Sequence, residues 1–115
     1  MEEIHLWNGG QLPTNFNLYI PFTQGSNIIA GCTIVLGNEK IVLKQITKQK
    51  EDAKIRINTK TNLIEGVDEN NKITGSIYNQ YIEKGGFFTI PIGESILKTS
   101  SGIPEEEIEY KFLYY

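Results

Sequence analysis

The alternation of apolar and polar residues along the chain predicts short β-strands. In the segment 15–22, apolar residues occupy every second position, which is the period of a strand that buries one face. Pro21 has no backbone N–H to donate, so the end of this strand is expected at a sheet edge or a bulge. The segment 53–58 repeats the pattern, with isoleucines facing inward and Arg56 facing outward.

The middle of the chain combines a strongly apolar run with turn signals. The segment 28–36 is apolar on both faces apart from Thr33, and this predicts a strand at the centre of a two-layer structure. Gly37 and Asn38 follow at once and predict a tight hairpin. The segment 48–52 is charged and is interpreted as a solvated connection.

The last third of the chain predicts further strands with one irregular interruption. Helical and strand spacing compete over 76–82, where irregular chain or a brief helix is expected. Strands are predicted at 87–90 and 95–98, followed by a polar loop at 99–104. A closing strand over 108–115 is predicted from its alternation of apolar and polar residues. Such a strand is expected to seal a sheet edge.

Together these elements predict one all-β domain over residues 1–115. Eight or nine short strands at regular spacing favour an antiparallel β-sandwich of jelly-roll type. Residues 1–12 are interpreted as an N-terminal extension or a first edge segment. The composition agrees, because eighteen isoleucines and nine threonines stand against two alanines, and β-branched residues favour strands.

Charge and hydropathy narrow the classes of partner. The formal net charge is -3 and the isoelectric point is about 5.2, which argues against a nucleic-acid-binding module, since such modules present a basic face to phosphates. No apolar run approaches the ~18 residues that a membrane span needs, and the N-terminus lacks a signal-peptide pattern. We therefore expect no nucleic-acid partner and no membrane insertion.

The residues that usually carry catalysis or bind metal are sparse. His5 is the only histidine and Cys32 the only cysteine, so neither a nucleophile–histidine pair nor a zinc site has enough suitable residues. Cys32 lies among apolar residues and is interpreted as a buried thiol. The sequence therefore predicts no catalytic residue, no metal site and no cofactor.

Aromatic residues are the remaining candidates for recognition. Trp7, Tyr78 and Tyr81 lie in segments that do not read as central strands, and Asn79 and Gln80 add polar groups beside them. Exposed rings at these positions would stack on a sugar or anchor a protein partner. The alternative interpretation is that the rings cover the ends of the sandwich, with wet hydroxyl groups.

Several motifs, in their order along the chain, resemble one known family. These motifs are Asn8-Gly9 with Pro13-Thr14 before the first strand, residues 55–61 (IRINTKT), residues 85–93 (GGFFTIPIG) and the closing Ile108-Glu109-Tyr110. They resemble the C-terminal domain of phage distal tail proteins. The resemblance implies a galectin-like β-sandwich, attached in that family to an N-terminal domain that forms a hexameric ring.

The resemblance also implies a function and a location. It indicates a non-enzymatic structural module of a phage or phage-like tail tip, made in the bacterial cytoplasm and docking other tail-tip or baseplate proteins. No ring-forming domain precedes Trp7, so the chain is expected to be a fragment or a stand-alone homologue, monomeric when isolated and hexameric only within a complete tail. The alternative function is a carbohydrate-binding module that reads a host-surface glycan, although a galectin-type histidine-asparagine-arginine sugar site is not recognisable around Arg56.

Overall fold

The computed structural model describes residues 2–23, 25–100 and 107–115, and it confirms an all-β sandwich. Two five-stranded antiparallel sheets pack face to face, accompanied by a two-stranded ribbon and a 3-10 helix at Asn79–Tyr81. The strands are β1 (Glu2–Asn8), β2 (Phe16–Pro21), β3 (Ile28–Ile29), β4 (Cys32–Leu36), β5 (Glu39–Leu43), β6 (Ile46–Thr47), β7 (Lys54–Asn58), β8 (Leu63–Val67), β9 (Ile73–Ile77), β10 (Ile82–Gly85), β11 (Gly93–Thr99) and β12 (Glu107–Tyr110).

The two large sheets each combine neighbouring hairpins with strands from distant parts of the chain. Sheet I has the order β1-β11-β4-β5-β10, and sheet II has the order β12-β2-β7-β8-β9. The first strand, β1, therefore forms one edge of sheet I with β11 beside it, while the last strand forms an edge of sheet II. The finer jelly-roll or galectin-like type stays a prediction.

Turn residues explain the tight hairpins. Gly37 adopts a φ of +60° in the two-residue β4–β5 turn, as the sequence predicted. Asn62 reaches φ 58° in the β7–β8 turn and Asn71 reaches φ 63° between β8 and β9, and asparagine tolerates this left-handed conformation better than most residues. The Asp68 carboxylate accepts the backbone N–H groups of Asn70 (2.8 Å) and Lys72 (3.0 Å), which closes the β8–β9 turn.

The core lies between the inner faces of the sheets. Period-two alternation in β2 and β7 directs their apolar side chains inward, and both patterns match the sequence prediction. At one end Phe16 packs against Phe88 with ring centroids 5.5 Å apart. Fully buried members of this core are Leu18, Ile20, Ile34, Leu43, Ile46, Ile55, Ile57, Ile64, Ile90 and Leu97.

The prediction of one continuous strand over 28–36 is wrong. The run divides into β3 and β4, with Ala30 and Gly31 exposed between them. A Cβ atom on Gly31 would lie 3.2 Å from the carbonyl oxygen of Leu43, so the chain passes close to the backbone of β5 at this break. The half-buried Val35 lies on the outer face of sheet I rather than in the core. Apolar residues on both faces of a strand therefore do not require that both faces are buried.

Several other boundaries also differ from the sequence prediction. Residues 87–89 form no strand, and Ile90 makes a single bridge to Thr14. β10 was not predicted, and the closing strand ends at Tyr110 rather than at the end of the chain. The loop predicted at 99–104 lies mostly outside the described residues. Residues 2–8, for which the sequence allows either an extension or an edge segment, form the regular edge strand β1.

Candidate functional site

Trp7 occupies an exposed position near the end of β1. Leu6 and Asn8 on either side of it are buried, so the alternation of the strand directs the indole outward. The Trp7 residue is 57% exposed. Its cross-strand neighbour on β11 is Glu94, and directly opposed side chains of an antiparallel pair lie close enough to interact.

The turn after β1 is held by the buried side chain of Asn8. Its Nδ2 donates to the carbonyl oxygens of Leu12 (3.0 Å) and Ile90 (3.2 Å), while its Oδ1 accepts the Gly10 N–H (3.0 Å). A Cβ on Gly10 would lie 2.6 Å from the carbonyl oxygen of Leu113. Glycine at this position therefore lets the C-terminal segment approach the turn.

The C-terminal segment is attached to β1 and its turn by several hydrogen bonds. The Tyr110 hydroxyl donates to the Trp7 carbonyl oxygen (3.0 Å) and accepts the Trp7 N–H (3.3 Å). The Gln11 N–H donates to the Leu113 carbonyl oxygen (2.7 Å), and the Tyr115 N–H donates to Gln11 Oε1 (2.9 Å). These contacts hold the C-terminal segment against β1 and the turn that follows it.

Large apolar side chains consequently share one surface, which we call the aromatic patch. Tyr110 and Phe112 have ring centroids 6.5 Å apart, and a Cβ on Gly9 would lie 3.0 Å from Trp7 Nε1 and 3.2 Å from Phe112 Cε2. The Trp7 and Phe112 rings thus flank the same glycine. Exposed patches of this kind on soluble proteins mark interaction sites. The aromatic patch comprises Trp7, Tyr110 and Phe112, and the exposed residues Leu113, Tyr114 and Tyr115 follow Phe112 in the same segment.

An open groove continues from Trp7 across the outer face of sheet I. Its volume is about 920 Å³, and apolar Val35 and Ile96 in it alternate with charged Glu94 and Lys98. Such mixing of apolar and charged groups is typical of the rim of a protein interface. The lining residues are His5, Leu6, Trp7, Val35, Gly37, Glu94, Ser95, Ile96 and Lys98.

Tyr78 is fully buried, which corrects the prediction of an exposed recognition ring. Its ring packs against Phe22 and Tyr81, and its hydroxyl donates to Asp52 Oδ2 while accepting the Gln49 N–H (2.8 Å). Burial, together with the hydrogen bond to the Asp52 carboxylate, raises the pKa of Tyr78. An aromatic residue just after the end of a strand no longer follows the two-residue period. The sequence therefore does not show whether its ring faces the core or the solvent.

The three residues after Tyr78 form the 3-10 helix and lie far from Trp7. Asn79 Oδ1 accepts the Ile64 N–H (2.8 Å) and its Nδ2 donates to the Asn62 carbonyl oxygen (3.0 Å), so its amide is occupied within the fold. Gln80 is exposed and Tyr81 is half-buried against the core. Tyr81 precedes β10, at the edge of sheet I opposite β1, about 19 Å across four strand spacings. The predicted set does not share one surface.

Asp52 is a buried carboxylate, although the charged segment 48–52 predicts a solvated connection. It is 1% exposed and accepts hydrogen bonds from the hydroxyl groups of Thr74 and Tyr78. A Cβ on Gly66 would lie 2.4 Å from its Oδ2. This network ties the connection before β7 to β8 and β9. The sequence does not distinguish Asp52 from the other charged residues of 48–52, because only its tertiary contacts differ from theirs.

The outer face of sheet II carries a second polar network. Arg56 lies on this face, as predicted, and donates to Glu65 Oε1 from both Nε (3.1 Å) and Nη2 (3.0 Å). Asn58 Nδ2 donates to the same oxygen (3.2 Å). On the adjoining strands, Tyr19 and Asn17 both donate to Glu109 Oε1. These polar groups pair with one another and stabilise the sheet.

Within residues 2–23, 25–100 and 107–115, no group of three or more histidine, cysteine, aspartate or glutamate residues is arranged to hold a metal ion. None of their helices has the length and apolar character needed to cross a membrane. Comparisons of the chain with protein-family models, with curated proteins and with solved structures found no match.

Proposed function

We propose that this chain is a non-enzymatic structural module of a phage or phage-like tail tip or baseplate, in which it acts as a peripheral docking domain. The observation that carries the proposal is the aromatic patch, held in place by hydrogen bonds from Tyr110, Gln11 and Tyr115. The motif resemblance supplies the setting, and the β-sandwich supplies a rigid frame.

The side chains in the patch are those that dominate protein interfaces. Tryptophan and tyrosine are enriched among the residues that contribute most to binding, and complete burial of a large apolar side chain contributes about 1.5–3 kcal/mol. Trp7 is 57% exposed and Phe112 42%, so each retains area for a partner to cover. Because backbone hydrogen bonds already hold the segment, docking requires little further ordering.

In this proposal the partners are other tail-tip or baseplate proteins. The isolated domain is monomeric, and it becomes part of a hexameric arrangement only within the assembled tail, where other chains supply the ring contacts. Its location is the tail tip of the virion.

Carbohydrate binding is retained as a second candidate on one observation. The exposed Trp7 indole borders a groove that also offers His5 and Glu94, and aromatic rings beside polar groups are suited to sugar rings. This candidate now rests on Trp7 and the groove, since Tyr78 is buried and Tyr81 lies across the sheet.

Binding measurements on defined partners test the proposal. Each purified tail-tip protein encoded in the same genome would be titrated against the wild-type domain and against Trp7→Ala and Phe112→Ala. We expect one of these proteins to bind, with at least about tenfold weaker affinity for each variant. Ile73→Ala is the matched control, because Ile73 is 56% exposed on the distant edge strand β9 and its loss should leave affinity unchanged.

Two results would count against the docking role. Equal binding by the wild-type domain and both patch variants would remove the aromatic patch from the interface. Absence of binding to every tail-tip protein, together with saturable binding of a glycan that Trp7→Ala abolishes, would favour the carbohydrate-binding candidate instead.

A further inference from the structure

The outer strands of the two large sheets differ in how well their edges are protected. On β9, Gln49 Nε2 donates to the Ile77 carbonyl oxygen (2.8 Å) and Lys50 Nζ donates to the Thr74 carbonyl oxygen (3.2 Å), and Gly75 interrupts the strand with φ +98°. A register shift interrupts β10, and β12 has four residues. Capping, irregularity and shortness are the usual protections of an edge strand.

β1 lacks such protection along most of its length within the described residues. Its seven residues pair with seven of β11 without a register shift. The Tyr110 hydroxyl bonds both the N–H and the carbonyl oxygen of Trp7, so these groups point away from β11. The backbone N–H and carbonyl groups of successive residues point to opposite sides of an antiparallel strand, so those of Glu3 and His5 point the same way as those of Trp7. No hydrogen bond from a described residue reaches them.

The side chains beside this open edge favour a cationic partner. Trp7 and Glu94 are directly paired across β1 and β11, so an indole face and a carboxylate lie next to each other. This combination binds guanidinium or ammonium groups through cation–π and charge-assisted contacts. The formal net charge of the chain is -3, which favours approach of a basic segment.

We propose that β1 receives an extended, arginine- or lysine-bearing strand from a neighbouring protein. The added strand pairs with the outward backbone groups of Glu3 and His5 and extends sheet I by one strand. One of its basic side chains lies over Trp7 and against Glu94. Backbone pairing provides affinity and the side-chain contact provides selectivity, as in other cases of strand addition. This inference rests on the docking role proposed above and specifies how a partner is recognised.

A peptide titration tests this inference directly. Trp7 is the only tryptophan, so its fluorescence reports binding at the edge. The probe is a short peptide in which arginine alternates with valine. One control peptide replaces arginine by glutamate, and a second is N-methylated at alternate residues, which removes the N–H groups on one edge but keeps the charge. We expect saturable binding of the first peptide alone.

Two variants separate the backbone and side-chain contributions. His5→Pro removes an outward N–H without removing a bond to β11, so it should abolish peptide binding. Glu94→Gln keeps the shape of the side chain and should weaken binding about fivefold, as expected for loss of one exposed charge contact. Glu83→Gln on β10 is the matched control, since Glu83 is exposed at the opposite edge of sheet I, and it should bind as wild type.

Several results would overturn the inference. Equal binding of the N-methylated peptide would exclude strand pairing, and equal binding of the glutamate peptide would exclude cation recognition. Unchanged affinity in Glu94→Gln would exclude the proposed side-chain contact. These readouts remain available if His5→Pro does not fold. A dimer in sedimentation experiments that involves β1 would assign the edge to a second copy of this chain. Absence of peptide binding, with tail-tip proteins still bound through Trp7 and Phe112, would overturn this inference but not the docking role.

Discussion

The buried Asp52 network allows a quantitative prediction about stability. Asp52 is 1% exposed and accepts hydrogen bonds from Thr74, which is half-buried, and from Tyr78, which is fully buried. In Asp52→Ala the Tyr78 hydroxyl loses its carboxylate acceptor in the protein interior. An unsatisfied buried polar group costs about 1–3 kcal/mol, and hydrogen bonds to charged groups contribute about 1.5–3 kcal/mol. We therefore expect Asp52→Ala to lower the free energy of unfolding by about 3 kcal/mol.

The matching change at the other end of the bond isolates its contribution. Tyr78→Phe keeps the ring between Phe22 and Tyr81 but removes the hydroxyl, so it should destabilise the domain by about 1.5–3 kcal/mol. The double variant Asp52→Ala/Tyr78→Phe leaves neither partner unsatisfied. Its destabilisation should therefore fall short of the sum of the two single effects by about 1.5 kcal/mol or more.

Urea unfolding followed by circular dichroism provides the assay. A change in the midpoint with an unchanged slope reports stability alone, and both single variants should show it. A domain of this size has a total stability on the order of 10 kcal/mol, so the variants should remain folded. If the effects of the two single changes add to within about 0.5 kcal/mol, the bond between Asp52 and Tyr78 does not stabilise the fold.

Three further predictions concern other close contacts and pH. Gly66→Ala should destabilise the domain by about 1–3 kcal/mol, because its Cβ would lie 2.4 Å from Asp52 Oδ2; an unchanged urea midpoint would contradict this packing. Burial and the bond to Asp52 raise the pKa of Tyr78 above its ordinary value of 10.0, so the folded state favours the neutral phenol. This stabilisation is present below pH 10.0 and is lost as the pH rises. In unfolding experiments at several pH values, Tyr78→Phe should therefore flatten the decline in the free energy of unfolding between about pH 10 and pH 12. An equally steep decline in the variant would contradict this role of Tyr78. Gly10→Ala should displace the C-terminal segment, because its Cβ would lie 2.6 Å from the Leu113 carbonyl oxygen; near-ultraviolet circular dichroism should change and tail-tip binding should weaken, whereas a wild-type spectrum and affinity would contradict this placement.

Local patterns predicted the strands whose two faces differ in polarity. The alternation in β2 and β7 specified both the strand and its buried face, and Gly37 specified the following turn. The prediction of one continuous strand over 28–36 failed for two reasons. Its outer apolar face lies at the surface of sheet I, and the break at Gly31 depends on the close approach of the chain to β5. Periodicity does not encode such an approach.

The candidate site was less predictable than the fold. The sequence predicts Trp7 as a recognition residue, but it places Phe112 and the three residues after it in a continuing strand. The signal that was available is the run FLYY over 112–115, which breaks the two-residue period. The position of Tyr78 depends on its bond to Asp52, a contact between residues distant in sequence. Such contacts arise only when the sheets assemble.

A Trp7 fluorescence titration tests the docking role most directly. The purified domain would be titrated with each tail-tip protein encoded in the same genome after that protein's own tryptophans have been replaced, with binding followed independently by sedimentation. We expect a saturable blue shift of Trp7 emission, because a partner covering the aromatic patch removes the indole from water. Binding in sedimentation without any change in Trp7 emission would place the interface elsewhere and exclude docking through the aromatic patch.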